Sequence, residues 1–482
     1  MKIPTLRKKI TPSLRNSLSP ERKEVEEFVS ENFTEDCSLE PWQPSDWKPR
    51  PSFAVKRDDY RDFCHKLNDR WKMLGRRVDG EVAGNQDRHS LLHLPNPVVV
   101  PGGRFREIYY WDSFWILRGL LACGMVDTAR GMIENLVHLI DTLGFVPNGG
   151  RVYYTRSQPP LLAAMVESYV KATGDLVWGR RQLKALESEW EYWQRHHSVD
   201  VAGHTLFRYS CSEGAPRPES YREDWALAEG LDQQKKKEDL WRELRSAAES
   251  GWDFSSRWFM RGSTLAATSI SDIVPVDLNS FLCKAAAVIG ELHKEGENEV
   301  EAGKWEEKSW RLCRAMEELL WSEEDGCWFD LSLSTGCRNA RYAASNLTPL
   351  WAMPEKLPND RATRGLAYMR GQGALNYPGG IPTTLNNSGQ QWDFPNVWPP
   401  LEHMIIVGMH SSPDSKVQEE ALCLARRRVD HCLKVFLEQG HMYEKYNCED
   451  MSKAGGGGEY EVQLGFGWTN GMLLDLITSL DL

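Results

Sequence analysis

The chain has 482 residues, 41% of them hydrophobic and 26% charged, with a formal net charge of −11. That balance belongs to a globular protein able to bury a large core, and it excludes the disordered and fibrous classes. The acidic surplus repels polyanions on average, so no nucleic-acid partner is expected.

The basic start, Met1 to Lys9, is not followed by an apolar stretch, so no signal peptide is expected. Residues 1–18 are expected to be a disordered N-terminal extension, and residues 19–482 a single domain. The first helix signal is Ser19-Pro20-Glu21, ahead of Val25, Phe28 and Val29 at helical spacing. His89 and His93 stand four apart, but Ser90 occupies the place where a zinc-protease helix needs Glu. A helix-face pair is therefore expected there, not a metal site. Met132, Ile133, Leu136, Val137 and Ile140 mark an amphipathic helix, and Leu162, Met165, Val166, Tyr169 and Val170 another that stops at Gly174. Further helices fit Asn279–His293, Glu307–Leu320 and Lys416–Leu437.

Strand-like alternation is scarce, so the fold class is all-α. The longest apolar stretches, around Phe114–Met125 and Gly471–Ile477, carry Arg118 and Asp475 and are too short to span a bilayer. The eleven cysteines show no CxxC and no zinc spacing, which fits buried apolar residues.

Long loops rich in Gly, Pro, Asn and aromatics separate the helices at Pro101–Tyr110, Gly144–Pro160, Pro216–Tyr221, Asn376–Pro400 and Tyr443–Gly467. Their recurrence fits helical hairpins around one shared pocket. Three loops or loop edges carry Trp-Asp pairs: Trp111-Asp112, Trp252-Asp253 and Trp392-Asp393. Tryptophan offers a flat apolar face and Asp, Arg, Asn and Gln offer directional hydrogen bonds, the two surfaces a sugar presents. The run Gly455–Gly458 leads into Glu459-Tyr460-Glu461, where a phosphate loop would have Lys and Ser or Thr; a flexible loop delivering Glu459 into a site fits better. Hydrolysis of a glycosidic bond needs one protonated and one ionised carboxyl. The residues alone leave Asp112, Asp253, Glu219, Asp393 and Glu459 as unranked candidates.

Pro101-Gly-Gly-Arg-Phe-Arg-Glu-Ile-Tyr-Tyr-Trp-Asp-Ser113 and Gln390-Gln-Trp-Asp-Phe-Pro-Asn396 resemble the two signature segments of the trehalases. Pro147–Pro160, Pro216–Tyr221, Glu249–Trp258 and Gly455-Gly-Gly-Gly-Glu-Tyr460, continuing to Gly465–Gly471, resemble the same family in the same order. The resemblance covers the chain from about Ser19 to the C-terminal helix and is nearest to animal members.

It implies an (α/α)6 toroid and inverting hydrolysis of α,α-trehalose to two glucose molecules, without metal or other cofactor. It assigns Asp253 as general acid and Glu459 as general base. Arg104, Trp111, Asp112, Asn148, Arg156, Ser157, Gln158, Arg217, Pro218, Glu219 and Gly251 are implied to bind substrate, together with Gln391 and Trp392. The two catalytic carboxyls are expected to face each other at roughly 6.5–9.5 Å, and Asp112 and Glu219 to offset the charge of buried Arg104, Arg156 and Arg217. Animal members are typically extracellular or membrane-anchored, whereas this sequence shows no signal peptide, membrane span or lipid-anchor tail. Its altered N-terminus leaves a catalytically impaired, trehalose-binding homologue as the alternative.

Overall fold

The computed structural model describes residues 22–32, 39–151, 155–260 and 262–482. The expected extension at residues 1–18 lies outside them. The expected first helix forms as α1 (Arg22–Asn32). The other long helices are α2 (Asp58–Leu74), α3 (Asp112–Ala122), α4 (Val126–Leu143), α5 (Leu162–Thr173), α6 (Leu183–His197), α7 (Gln234–Glu249), α8 (Val276–Lys294) and α9 (Glu299–Leu319). After the short α10 (Thr348–Ala352) come α11 (Arg361–Gly371), α12 (Pro399–His410), α13 (Ser415–Gln439) and α14 (Gly467–Ser479). Strands are confined to pieces of two to four residues in antiparallel pairs and one three-stranded sheet.

Burial separates two kinds of helix. In α3, α12 and α14 nearly every residue is buried, whereas α2, α4 and α13 bury one face only. A helix apolar all round must have neighbours on every side. These helices do: α3, α5, α8, α10, α12 and α14 pack in that order, and α14 closes back on α3. Amphipathic helices cover the ring from outside, with α2 on α14, α6 and α9 on α8, and α13 on α12. This is the (α/α)6 toroid expected from the sequence. The loops between its pairs gather at one end.

Two expectations need correction or qualification. His89 and His93 lie outside any helix, in the extended segment after a turn, because Asn85 ends the short helix Gly80–Gly84 before the first of them. Among the described residues ten cysteines are free, eight of them buried as expected, but Cys337 and Cys423 are exposed. Among the described residues no helix is long and apolar enough to cross a membrane.

The ring is also pinned by charge. Asp475 of α14 accepts from Arg118 Nη2 of α3 at 2.6 Å and pairs with His403 Nε2 of α12 at 2.7 Å. Trp115 Nε1 of α3 donates to the other nitrogen of the same imidazole. Burial alone would push the Asp475 carboxyl up, but Arg118 and His403 outweigh it and hold it at about 2. A carboxyl depressed in the folded state stabilises fully above its unfolded value near 4 and loses that contribution as pH falls through its folded value. Unfolding free energies from urea titrations of the wild type and Asp475→Asn should therefore converge by about 2 kcal/mol as pH is lowered from about 4 to about 2. A gap unchanged over that window would remove the charge from the account of ring closure.

Candidate active site

At the loop end of the toroid a cavity of about 90 Å³ opens between segments from both halves of the chain. Trp111 and Asp112 enter it from the start of α3, and Asn148, Arg156 and Gln158 from the loop after α4. Gly251 and Asp253 come from the loop after α7, Trp392 and Trp398 from the approach to α12, Glu444, Tyr460 and Phe466 from the connection between α13 and α14, and Trp468 from the first turn of α14.

The wall is largely aromatic. Trp392 and Trp398 stack in parallel with ring centres 3.7 Å apart, and Trp252 lies behind Trp392 at 5.3 Å. Trp111 reaches the same ring at 5.6 Å. Gly251 makes room for Trp111: its φ is +76°, and a Cβ there would come within 2.9 Å of that indole.

Asp253 lines the cavity and keeps some accessible area there. Burial, together with the negative charge of Glu459, raises it to about 7 against the opposing pull of Arg217. Glu459 in turn is held by Arg217 Nη2 at 2.9 Å and by Ser220 Oγ at 3.3 Å. Arg217 is fixed by Asp224, which accepts from its Nε and Nη2 at distances down to 2.7 Å, and its guanidinium lies over the Phe254 ring. Glu219 pairs with Arg156; burial would raise the Glu219 carboxyl, but Arg156 and Arg217 hold it below its usual value.

On the wall made by the last loop, Glu444 is buried and accepts from Tyr460 Oη at 2.9 Å and from the Gln463 backbone N–H at 3.3 Å. Burial raises it, opposed by its neighbour Lys445. Asp112 is pushed well above the carboxylate range by burial and by the charges of Glu444 and Asp253. Lys445 is fully buried and donates to Gln391 Oε1 at 2.8 Å, while the Gln391 amide donates to the Asp253 carbonyl. Burial lowers the Lys445 ammonium to about 8 despite Glu444 and Asp253.

Of the residues assigned by sequence, Trp111, Asp112, Asn148, Arg156, Gln158, Gly251, Asp253 and Trp392 line the cavity. The rest stand around it. Ser157 turns its hydroxyl to the Val146 carbonyl, Gln391 supports Asp253 from behind, and Pro218 opens an exposed turn. Arg104 is exposed rather than buried, lying over the Phe105 and Tyr460 rings at the rim, and Arg217 is offset by Asp224 and Glu459 rather than Asp112. Asp393 is fully buried away from the cavity, accepting from Ser255, Ser388 and Thr384 hydroxyls and the Ser256 N–H. Sequence reasoning missed Glu444 and Lys445. Both lie in the loop Tyr443–Gly467, where the glycine run marks Glu459 alone.

A protonated carboxyl near neutrality, further carboxylates, fork-shaped donors and flat indole walls can hold a sugar and transfer a proton to its glycosidic oxygen. The trehalase family model matches residues 3–481. The chain belongs to the trehalase family. It is 40% identical to a trehalase of Apis mellifera over 477 residues, covering 96% of this chain and 76% of that one. It is 42% identical to a trehalase of Homo sapiens over 467 residues, covering 95% and 80%. Among solved structures it resembles neutral trehalase from Saccharomyces cerevisiae, with a TM-score of 0.65 and 24% identity over 79% of this chain and 73% of that one. That likeness is one of fold. Nothing in these comparisons supports an impaired homologue.

Gly251→Ala should cost about 1–3 kcal/mol, because the added methyl meets both an unfavourable φ and the Trp111 ring. A lower urea midpoint together with a changed near-ultraviolet dichroism would report the displaced indole. An unchanged midpoint would mean that Trp111 is not seated as described.

Proposed function

We propose that this chain hydrolyses α,α-trehalose to two glucose molecules with inversion, Asp253 being the general acid. The observation that carries the reading is the Asp253 carboxyl, held at about 7 inside a tryptophan-walled cavity. An acid with that value keeps a large protonated fraction near neutral pH and can give its proton to the departing oxygen. Cavity residues Arg156, Asn148 and Gln158 supply donors for sugar hydroxyls, and Trp111 and Trp392 the apolar faces. A cavity of about 90 Å³ lies below the range usual for small-molecule sites, so admitting a disaccharide requires the loops bearing Phe105 and Tyr460 to move outward.

For the general base there are two readings. The sequence resemblance assigns Glu459, which pairs with Arg217 and acts electrostatically on Asp253. Cavity geometry favours Glu444. An inverting base acts on the face of the sugar opposite the acid, with a water between. Glu444 lines the cavity on the α13–α14 wall, whereas Glu459 lies outside the cavity lining with its two oxygens taken by Arg217 and Ser220. Glu459 is also the carboxylate that acts most strongly on Asp253, which suits a group keeping the acid protonated better than one standing across a sugar from it.

The assay is glucose release from trehalose, maltose and sucrose. Trehalose alone should be cleaved at a substantial rate, and early proton NMR should show one α- and one β-glucose; comparable maltose cleavage, or α-glucose only, would overturn the assignment. Asp253→Asn should lower turnover by roughly 10²–10⁴-fold.

Glu444→Gln and Glu459→Gln separate the two readings. If Glu444 is the base, Glu444→Gln loses turnover by a similar factor. Glu459→Gln then keeps measurable turnover, and the loss of activity with rising pH moves to lower pH as Asp253 loses a neighbouring negative charge. The opposite pattern would return the role to Glu459.

A further inference from the structure

A second pocket of about 320 Å³ lies behind the catalytic cavity, between the end of α2, the loop after Val100 and the segment leading into α14. The two share a wall. Phe105, Tyr460 and Phe466 face the catalytic cavity, while Gly103, Arg106, Leu464 and Gly465, in the same two segments, face the second one. The segments are stitched together by the Arg104 N–H to Gln463 Oε1 at 2.8 Å and the Gly467 N–H to the Pro101 carbonyl at 2.6 Å.

The lining of this pocket is one-sided in charge. It contains Arg70, Arg76, Arg106 and His441 and no Asp or Glu. Among the described residues these arginines make no ion pair. Arg70 donates to the Gly440 carbonyl at 2.7 Å, Arg76 to the Met73 and Gly75 carbonyls at 2.9 and 2.7 Å, and Arg106 to the Gly103 carbonyl at 3.3 Å. Carbonyl oxygens leave guanidinium charge unneutralised, unlike the carboxylates that balance Arg217 and Arg257 elsewhere in the molecule. Partial burial, reinforced by the like charge of Arg106, lowers the Arg76 guanidinium below its usual value.

At the inner end stands Asn470 of α14. It is fully buried, and both its amide oxygen and its amide nitrogen lack a hydrogen-bond partner. Such a group costs about 1–3 kcal/mol unless something supplies the missing bonds. The amide nitrogen can donate to an oxygen and the amide oxygen needs a donor, the pair of contacts that a hydroxyl provides. The remaining lining is apolar, with Leu74, Val100, Phe436 and Met442. A volume of about 320 Å³ falls within the range of small-molecule sites.

We propose that this second pocket binds a small phosphate monoester bearing hydroxyl groups, its phosphate held by Arg76 and Arg106 and a hydroxyl by Asn470. Guanidinium groups bind phosphate through paired N–H donors, which suits two arginines left without carboxylate partners. The site is separate from the catalytic cavity, and the reading does not depend on which disaccharide is cleaved there.

The test is calorimetric titration of the full chain, in low-salt buffer free of phosphate, with glucose 6-phosphate, inorganic phosphate and glucose as probes. Glucose 6-phosphate should bind saturably and more tightly than inorganic phosphate. Arg76→Gln/Arg106→Gln should weaken it at least roughly ten-fold, while any binding of glucose in the catalytic cavity stays unchanged. Should the double variant fail to fold, Arg70→Gln, which removes one positive charge from the same lining, should weaken the ester several-fold. Absence of saturable ester binding, an affinity unchanged in the folded variants, or inorganic phosphate binding as tightly as the ester would each overturn the proposal.

Discussion

Burying several carboxyl groups around one small cavity is the constraint on which the catalytic end depends. Like charges withdrawn from water raise one another's proton affinity, and a low-dielectric wall magnifies the effect. The chain meets this by giving each carboxyl a different environment. Asp253 has burial and a neighbouring negative charge, Glu459 has Arg217, and Glu444 has a phenol, a backbone N–H and the adjoining Lys445. Arg217 could not serve without Asp224, which fixes its fork from behind and leaves the outer N–H for Glu459. The raised proton affinity of Asp253 is therefore a property of the surrounding scaffold as much as of the residue itself.

The tryptophans serve the same end. Stacked Trp252, Trp392 and Trp398 form an aromatic slab, and the carbonyl of Gln391 accepts the Trp398 N–H at 2.8 Å. Through its side chain the same Gln391 links Lys445 to the Asp253 backbone. Aromatic packing and the electrostatics of the acid are thus joined in one residue that never reaches the cavity lining.

Much of this was legible in the sequence, because helix periodicity and the Gly174 stop are local signals. The helix at Leu162–Thr173 ends where Gly174 takes a left-handed φ of +74°, as its position suggested. The motif loops converge on one pocket for the same reason they were recognisable, since each carries polar and aromatic residues that no core requires. What local pattern could not give was three-dimensional pairing. Asp393 looked like Asp253 in sequence, beside a tryptophan in a loop, yet it spends its carboxylate on four scaffold donors. Arg104 looked buried by association with its motif and instead lies at the rim. Glu444 carried no glycine run or tryptophan partner to mark it, and only the fold brings it beside Asp112.

The closure of the ring between α3 and α14 has a consequence for how the molecule is made. Asp475 clasps Arg118 across 357 positions of chain, and Gly471 packs so closely on the Trp115 carbonyl that a Cβ there would come within 1.9 Å of it. Until α14 has left the ribosome, α3 has one flank bare, and the apolar surface meant for that seam is exposed to solvent and to other nascent chains. Contacts between such distant positions are slow to form and leave intermediates open to aggregation. A chain released before residue 467 would lack α14, together with the Phe466-Trp468 corner of the cavity. The premature product would be an unsealed helical coil rather than a weaker enzyme, and quality control in the cell would meet it as exposed hydrophobic surface.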